Sequence, residues 1–152
     1  MLDRDLLFSR IDVINGQKII NGNVYITKHD LDIGTKQLPD LSDVIIKGNY
    51  YCYLTRVGSL KGAPAIVEGE FLCGTCELTN LIGAPKVIGE DFGCAGNLNI
   101  RSLKGAPEYI GGKFISDHFT HDQYLQYMED LTMIESLNSE SRDLFANLIT
   151  DL

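Results

Sequence analysis

The chain has 152 residues, of which 44% are hydrophobic, and its 13 Lys and Arg against 21 Asp and Glu give a formal net charge of −8. This length suits one domain and is enough to bury a core. No basic stripe is present to neutralise phosphates, and no apolar run is long enough to cross a bilayer. These features argue against direct binding to nucleic acid or to a membrane.

The acidic charge is concentrated in the C-terminal segment. Residues 1–115 contain 12 Lys and Arg against 13 Asp and Glu, whereas residues 116–152 contain one Arg against eight Asp and Glu. The first residues carry early acidic side chains, and no signal-peptide core follows them. We therefore expect a cytoplasmic protein, in which the four cysteines are reduced.

Residues 1–18 are predicted to form an N-terminal cap. Asn15-Gly16 lies between two runs in which apolar and polar residues alternate, which is typical of a β-hairpin turn. The end of a repeat structure exposes apolar core and an unpaired strand edge, so a capping segment is expected there.

Residues 60–112 contain three copies of one motif. Leu-x-Gly-Ala-Pro occurs at residues 60–64, 81–85 and 103–107, and each copy is followed by an apolar run, a glycine and a phenylalanine. The prolines are 21 and then 22 residues apart, a period that indicates a solenoid. Weaker copies extend the pattern back to Ile19.

Alignment of the copies gives about five coils over residues 19–119. Side chains alternate along a strand, so two residues at positions i and i+2 of each coil point inward. The step between the first two coils is 26 residues, which predicts a loop near residues 30–36. The Gly-Ala-Pro segment disfavours a helix and is expected to be extended or 3₁₀-like. The predicted inward pairs are Val24/Ile26, Tyr50/Cys52, Phe71/Cys73, Phe92/Cys94 and Phe114/Ser116.

Residues 120–152 are predicted to form an acidic helical C-terminal cap. From Asp117 the apolar residues follow a helical period, and Thr120 with Gln123 fits a capping box at the start of a helix. A second helix is expected from about Ser139, with Leu144, Phe145, Leu148, Ile149 and Leu152 buried. We expect these helices to cover the open edge of the last coil.

The third coil resembles a short leucine-rich repeat, because Phe71-x-Cys73-x-x-Cys76-x-Leu78 fits the pattern L-x-L-x-x-N/C-x-L. The Leu-x-Gly-Ala-Pro…Gly-x-Phe-x-Cys repeats resemble even more closely those of small accessory proteins of tailed bacteriophages. We therefore predict an α+β fold in a single domain, residues 1–152. It is a leucine-rich-repeat-like β-solenoid of about five coils with a parallel sheet, capped by C-terminal α-helices. The position of the pattern's asparagine is occupied by His29, Thr55, Cys76, Asn97 and Phe119 in successive coils.

Two groups of residues are candidates for chemistry. Cys52, Cys73 and Cys94 share one position in successive coils, which favours a buried stack of small apolar side chains. Cys73-x-x-Cys76 could instead bind a metal or act in redox chemistry, but residues i and i+3 of a strand point to opposite faces. The second group, Asp117-His118 with His121-Asp122, fits either a metal or acid–base site or a polar junction that caps the helix.

The strongest candidate is a surface, the strand face, formed by residues that flank the inward pairs and point outward. Interfaces favour tyrosine anchors in an uncharged centre, and Gly93 with Ala95 would leave a shallow dip for a partner side chain. The alternative is that the C-terminal helices or a second copy of the chain covers this patch. The candidate partner-binding residues are Tyr25, Tyr51, Tyr53, Leu72, Asp91 and Ile115.

We therefore predict a non-enzymatic protein-binding module without catalytic residues, metal or cofactor. The phage resemblance implies an accessory protein that acts on a host or defence protein in the bacterial cytoplasm. One alternative is a structural, virion or self-assembling component, in which the strand face makes a homo-oligomer. A second is an acidic mimic of nucleic acid that inhibits a host nucleic-acid-binding protein. A third is an enzyme that uses the Asp117–Asp122 junction.

Overall fold

The computed structural model describes residues 3–136 and 146–147. The chain divides into two compact units, residues 1–120 and residues 121–152. The division falls where the acidic helical segment was predicted to start.

The first unit is built from very short strands, most of them two residues long. A helix, α1 (Asp3–Ser9), precedes them, and a 3₁₀ turn covers Lys28–Asp30. The strands are β1 (Asp12–Ile14), β2 (Gln17–Asn21), β3 (Val24–Tyr25), β4 (Val44–Lys47), β5 (Tyr50–Tyr51), β6 (Ile66–Val67), β7 (Phe71–Leu72), β8 (Val87–Ile88), β9 (Phe92–Gly93), β10 (Tyr109–Ile110) and β11 (Phe114–Ile115).

These strands form a parallel β-solenoid, as predicted. One sheet has the order β1-β2-β4-β6-β8-β10, and the other has the order β11-β9-β7-β5-β3. Each coil contributes one strand to each sheet, and all pairs are parallel except β1 with β2. The second parallel sheet, formed by the apolar runs after the prolines, was not predicted. The chain makes about four turns between the five strands of β3 to β11, slightly fewer than the predicted five coils.

The predicted register and the N-terminal hairpin are confirmed. Val24 pairs with Tyr50, Tyr50 with Phe71, and the ladder continues through Phe92 to Phe114. Strands β1 and β2 are antiparallel and are joined at Asn15-Gly16. Both turn residues have positive φ, 52° and 79°, as a two-residue hairpin turn requires. Helix α1 in the same cap was not predicted.

Aromatic rings stack along the solenoid axis in the core. The ring centroids of Tyr50, Phe71, Phe92 and Phe114 are separated by 5.1, 5.5 and 5.5 Å in turn. Such offset stacks are favourable beyond the area that they bury. The hydroxyl of Tyr50 is buried and has no hydrogen-bond partner among the described residues. The first ring of this ladder therefore carries a polar atom that costs stability.

The cysteines form the predicted buried stack beside these rings. All four are free and buried, and burial raises the pKa of the Cys73 thiol well above its usual value and that of Cys94 to about 12. The expectation that Cys76 points away from Cys73 was wrong. The strand ends at Leu72, and Thr75 and Glu77 take left-handed conformations with φ of 51° and 59°, which returns the intervening Cys76 to the core.

The buried amide of Asn97 closes the turn of the fourth coil onto the third. Its Nδ2 donates to the carbonyls of Cys73 and Cys94 at 3.0 and 2.8 Å. Its Oδ1 accepts from the amides of Cys76 and Leu78 at 2.9 and 3.1 Å. Asn97, which lies at the asparagine position of the repeat pattern, therefore forms hydrogen bonds with four backbone groups that would otherwise be buried without partners.

The Gly-Ala-Pro corner requires glycine for two reasons. Gly83 has φ of 98°, a region that disfavours side chains. A Cβ atom there would also lie 2.7 Å from the carbonyl carbon of Leu60 in the preceding coil. The repeated glycine therefore allows neighbouring coils to approach closely.

The second unit contains α2 (His121–Ser136). The helix begins at His121, so Thr120 lies at the predicted N-cap position. The second helix, predicted from Ser139, lies mostly outside the described residues; of this segment the structure describes Ala146 and Asn147, and both are helical. Coverage of the last coil by these helices remains a prediction.

Replacing Asn97 by Ala should lower the free energy of unfolding by about 3 kcal/mol or more, because several buried backbone groups lose their partners. Urea denaturation of the purified protein measures this. Asn99→Ala is the matched control, since Asn99 is exposed two residues away and should cost no more than about 0.5 kcal/mol. Equal stability of the two variants would contradict the assigned role of Asn97.

Replacing Tyr50 by Phe should raise the free energy of unfolding by about 1 kcal/mol, because the change removes a buried hydroxyl that lacks a partner. The same denaturation measurement applies. Phe71→Tyr introduces a hydroxyl at the next ring of the ladder and should lower stability by a similar amount or more. A loss of stability in Tyr50→Phe would show that the hydroxyl makes a hydrogen bond.

Candidate functional site

The strand face is the outer side of the sheet formed by β3, β5, β7, β9 and β11. Tyr25 and Ile115 are exposed, with 62% and 44% of their surface accessible, whereas Tyr51 and Leu72 are half-buried. Gly93 is buried. The predicted column of outward residues therefore exists, but its members differ in accessibility.

The three predicted tyrosines form one cluster at the N-terminal end of this face. The rings of Tyr25 and Tyr51 stack with centroids 4.9 Å apart and an interplanar angle of 25°. Tyr53 meets Tyr51 edge to face, with centroids 6.2 Å apart. These are the favourable geometries for aromatic pairs. The cluster is thus ordered by contacts within the chain.

Tyr51 is also fixed at its polar end. Its hydroxyl donates to Oε1 of Glu70 at 2.7 Å. The hydrogen bond to the Glu70 carboxylate raises the pKa of the Tyr51 hydroxyl to about 12. Stacking at one side and this hydrogen bond at the other hold the central ring of the cluster in one orientation.

The dip predicted at Gly93 and Ala95 is filled at Gly93. A Cβ atom on Gly93 would lie 2.8 Å from Cδ2 of Leu72, which means that the Leu72 side chain covers this glycine. The prediction failed because strand alternation gives the face on which a side chain lies, but not the direction in which it leans. Leu72 therefore fills the space that a partner side chain was expected to enter.

Asp91 has a structural contact. Its Oδ1 accepts from the amide of Lys113 in the next coil at 2.8 Å. In the same way, Oδ1 of Asn23 accepts from the amide of Asn49, and Oδ1 of Asn49 accepts from the amide of Glu70, each at 2.9 Å. Side chains in this column thus bind the backbone of the following coil.

Ile115 lies three strands from Tyr51, about 14 Å at the usual strand spacing, and is separate from the tyrosine cluster.

The tyrosines border an open groove of about 380 Å³, which we call the aromatic groove. Strands β3 and β5 supply two of the rings, and the segments that follow each strand supply the remaining walls. Its lining residues are Tyr25, Ile26, Thr27, Lys28, His29, Tyr51, Tyr53, Leu54 and Thr55.

Leu54 is a member of this groove that sequence reasoning missed. It is 66% exposed and has φ of 63°, a left-handed conformation that is rare for a bulky residue. Thr75 and Gly96 occupy the equivalent position in the next two coils and also have positive φ, so the conformation belongs to the repeat. Among these three coils, only the one that borders the groove has an apolar side chain at this position. Comparing this position between coils in the sequence would have singled out Leu54.

Two residues of the candidate Asp117–Asp122 junction, Asp117 and His118, contact the backbone of the neighbouring coil. Asp117 accepts from the amides of Gly96 and Asn97 at 2.8 and 3.1 Å. The His118 ring nitrogen Nε2 lies 2.8 Å from the carbonyl of Leu98. Both residues therefore bind the turn of the neighbouring coil.

Among the described residues, no group of three or more His, Cys, Asp or Glu side chains is placed to hold a metal ion. Within the same part of the chain, no helix has the length and hydropathy that crossing a bilayer requires. Comparison of the chain with family models, with curated proteins and with solved structures finds no match. The aromatic groove and its surroundings therefore form the candidate functional site.

The Tyr51 hydroxyl should remain protonated at pH values at which a free tyrosine ionises, near 10. Because its folded pKa is the higher one, the hydrogen bond stabilises the fold fully below pH 10, and this contribution is lost as pH rises towards 12. NMR titration of ring-labelled tyrosine, with Tyr51→Phe to assign the signal, measures the pKa. Glu70→Gln should lower it towards 10, and an unchanged value would rule out the assigned cause.

Proposed function

We propose that this chain is a non-enzymatic protein-binding module that holds its partner in the aromatic groove. The observation that carries the proposal is the exposure of large apolar side chains around one ordered concavity. Tyr25, Tyr53 and Leu54 are 62%, 48% and 66% exposed. Burial of side chains of this size on binding would supply roughly 1.5–3 kcal/mol each.

Preorganisation also supports the proposal. Tyr51 is held by two aromatic neighbours and by Glu70, so its ring loses little conformational freedom when a partner binds. Tyrosine combines apolar area with low entropy cost, which is the reason that it anchors many protein interfaces. The left-handed Leu54 adds an apolar contact at a position where glycine would be less strained.

The resemblance of the repeats to those of phage accessory proteins supports a more specific version of this proposal. In that version the protein acts in the cytoplasm of an infected bacterium and its partner is a host or defence protein.

Leu54→Gly should strongly reduce capture of the partner without lowering stability. A left-handed conformation costs a non-glycine residue about 1–2 kcal/mol, so glycine should leave the free energy of unfolding unchanged or raise it slightly. Affinity purification from host lysate followed by mass spectrometry, with wild-type and variant baits side by side, measures capture. Thermal denaturation of the same preparations measures stability.

Thr75→Gly is the matched control, because Thr75 has nearly the same backbone conformation, with φ of 51°, one coil away from the groove. It should relieve similar strain and leave capture intact. Tyr53→Ala should reduce capture as Leu54→Gly does. The proposal fails if the partner bound by wild type is retained equally by the Leu54 and Tyr53 variants.

Light scattering of the purified protein tests the alternative that the groove binds a second copy of the chain. A wild-type dimer that Leu54→Gly converts to a monomer would replace the partner proposal with self-assembly. A monomer at micromolar concentration would leave the binding role in place.

A further inference from the structure

A second concavity adjoins the aromatic groove and differs from it in charge. It has a volume of about 540 Å³ and shares Lys28, His29 and Thr55 with the groove. Lys36 and Arg56 also line it, so three of its side chains are basic. We call this concavity the basic pocket.

The charges of the basic pocket are only partly compensated. Asp32, its acidic residue, is paired with Arg4 at 2.9 Å. Arg56 lies 3.8 Å from Glu77, a long contact between exposed side chains. Lys28 and Lys36 are exposed and have no ionic partner among the described residues. Two lysines are thus available to an acidic ligand.

The Asp30 carboxylate, two residues from Lys28, forms no ion pair with that lysine among the described residues. Asp30 is buried, and its Oδ2 accepts from the amide and the hydroxyl of Thr27 at 2.8 and 3.0 Å. That carboxylate is therefore used to hold the 3₁₀ turn that presents Lys28 and His29. The unpaired lysines therefore make this surface locally basic, although the charges of residues 1–115 as a whole are nearly balanced.

Apolar side chains continue across both concavities. Ile33, at the wall of the basic pocket, is 84% exposed, and Leu54 lies in the aromatic groove on the other side of the shared residues. A ligand that spans both would need apolar groups for the groove and carboxylates for the lysines. A free phosphate or a small anion would use only half of this surface.

We infer that the partner presents an acidic peptide segment with an aromatic or aliphatic anchor. The anchor packs in the aromatic groove, and neighbouring Asp or Glu side chains bind Lys28 and Lys36. This inference rests on the proposed function, since it names the class of partner for the same site.

A nucleic acid fits the same surface less well. The Tyr25 and Tyr51 rings stack on each other, which leaves fewer ring faces for bases, and the Glu70 carboxylate lies at the Tyr51 hydroxyl. Two unpaired lysines also neutralise few phosphates. Single-stranded oligonucleotides therefore enter the test as a competing ligand.

The test is selection of peptides that bind the 152-residue chain, from a phage-displayed library of random peptides about twelve residues long. The enriched peptides should carry Asp or Glu next to an aromatic or aliphatic residue, and their synthetic versions should bind more weakly as salt increases. Lys28→Glu with Lys36→Glu should weaken binding at least about tenfold. The matched control is the double variant Lys86→Glu with Lys104→Glu, which makes the same change in net charge at exposed sites outside both concavities. This control should leave affinity within about twofold of the wild-type value.

The possible outcomes separate this inference from the proposed function. Enriched peptides that depend on Tyr53 and Leu54, but have no acidic bias and bind the Lys28/Lys36 variant normally, would overturn the acidic-segment inference alone. Failure to enrich any peptide that depends on Tyr53 or Leu54 would count against both. Tighter binding of an oligothymidine than of the selected peptides, lost in the Lys28/Lys36 variant, would replace the peptide with a nucleic acid.

Discussion

The fold depends on hydrogen bonds that side chains make to buried backbone in the turns. Backbone hydrogen bonds between coils continue beyond the two-residue strands, as from the Leu54 amide to the Gly74 carbonyl at 3.0 Å, but they do not pair every backbone group that the turns bury. Asn97 supplies four such bonds at one turn, and Thr55 donates to the carbonyl of Cys52 at 2.8 Å at the equivalent turn two coils earlier. With these groups paired, the aromatic and cysteine stacks can be buried without orphaned peptide groups.

The same turns determine where the candidate site lies. The residue before each of the inward side chains Thr55, Cys76 and Asn97 has positive φ and is exposed, which places Leu54 and its equivalents, Thr75 and Gly96, on the surface. In later coils that position is Thr75 or Gly96 and carries little apolar area. In the coil next to the long loop it is a leucine beside three tyrosines. The groove therefore owes part of its apolar surface to one position of the repeat, which holds leucine in this coil and threonine or glycine in the next two.

The solenoid and its register could be predicted from the sequence, because the motif period directly gives the number of residues per coil. The second sheet was not predicted, because its strands are consecutive apolar residues, such as Ile66-Val67 and Val87-Ile88, which show no alternation of apolar and polar side chains. The candidate site was predicted in part. Tyr25, Tyr51 and Tyr53 follow from alternation, whereas Leu54 and the covering of Gly93 by Leu72 depend on turn conformation and side-chain direction. The partial neutralisation of the basic pocket depends on contacts between residues distant in sequence, such as Arg4 with Asp32.

The first coil is five residues longer than the next, as the steps of 26 and 21 residues in the ladder show. In a solenoid each coil contacts only its neighbours, so extra residues can leave the stack as a loop without shifting the register of the others. Here they form the turn and loop that border both concavities. Changes in length or composition of this one loop could therefore alter the ligand while the remaining coils, with their fixed corners and stacks, stay the same. The corners and stacks of the coils must keep the repeat sequence, whereas the loop of the first coil can change in sequence without disturbing them.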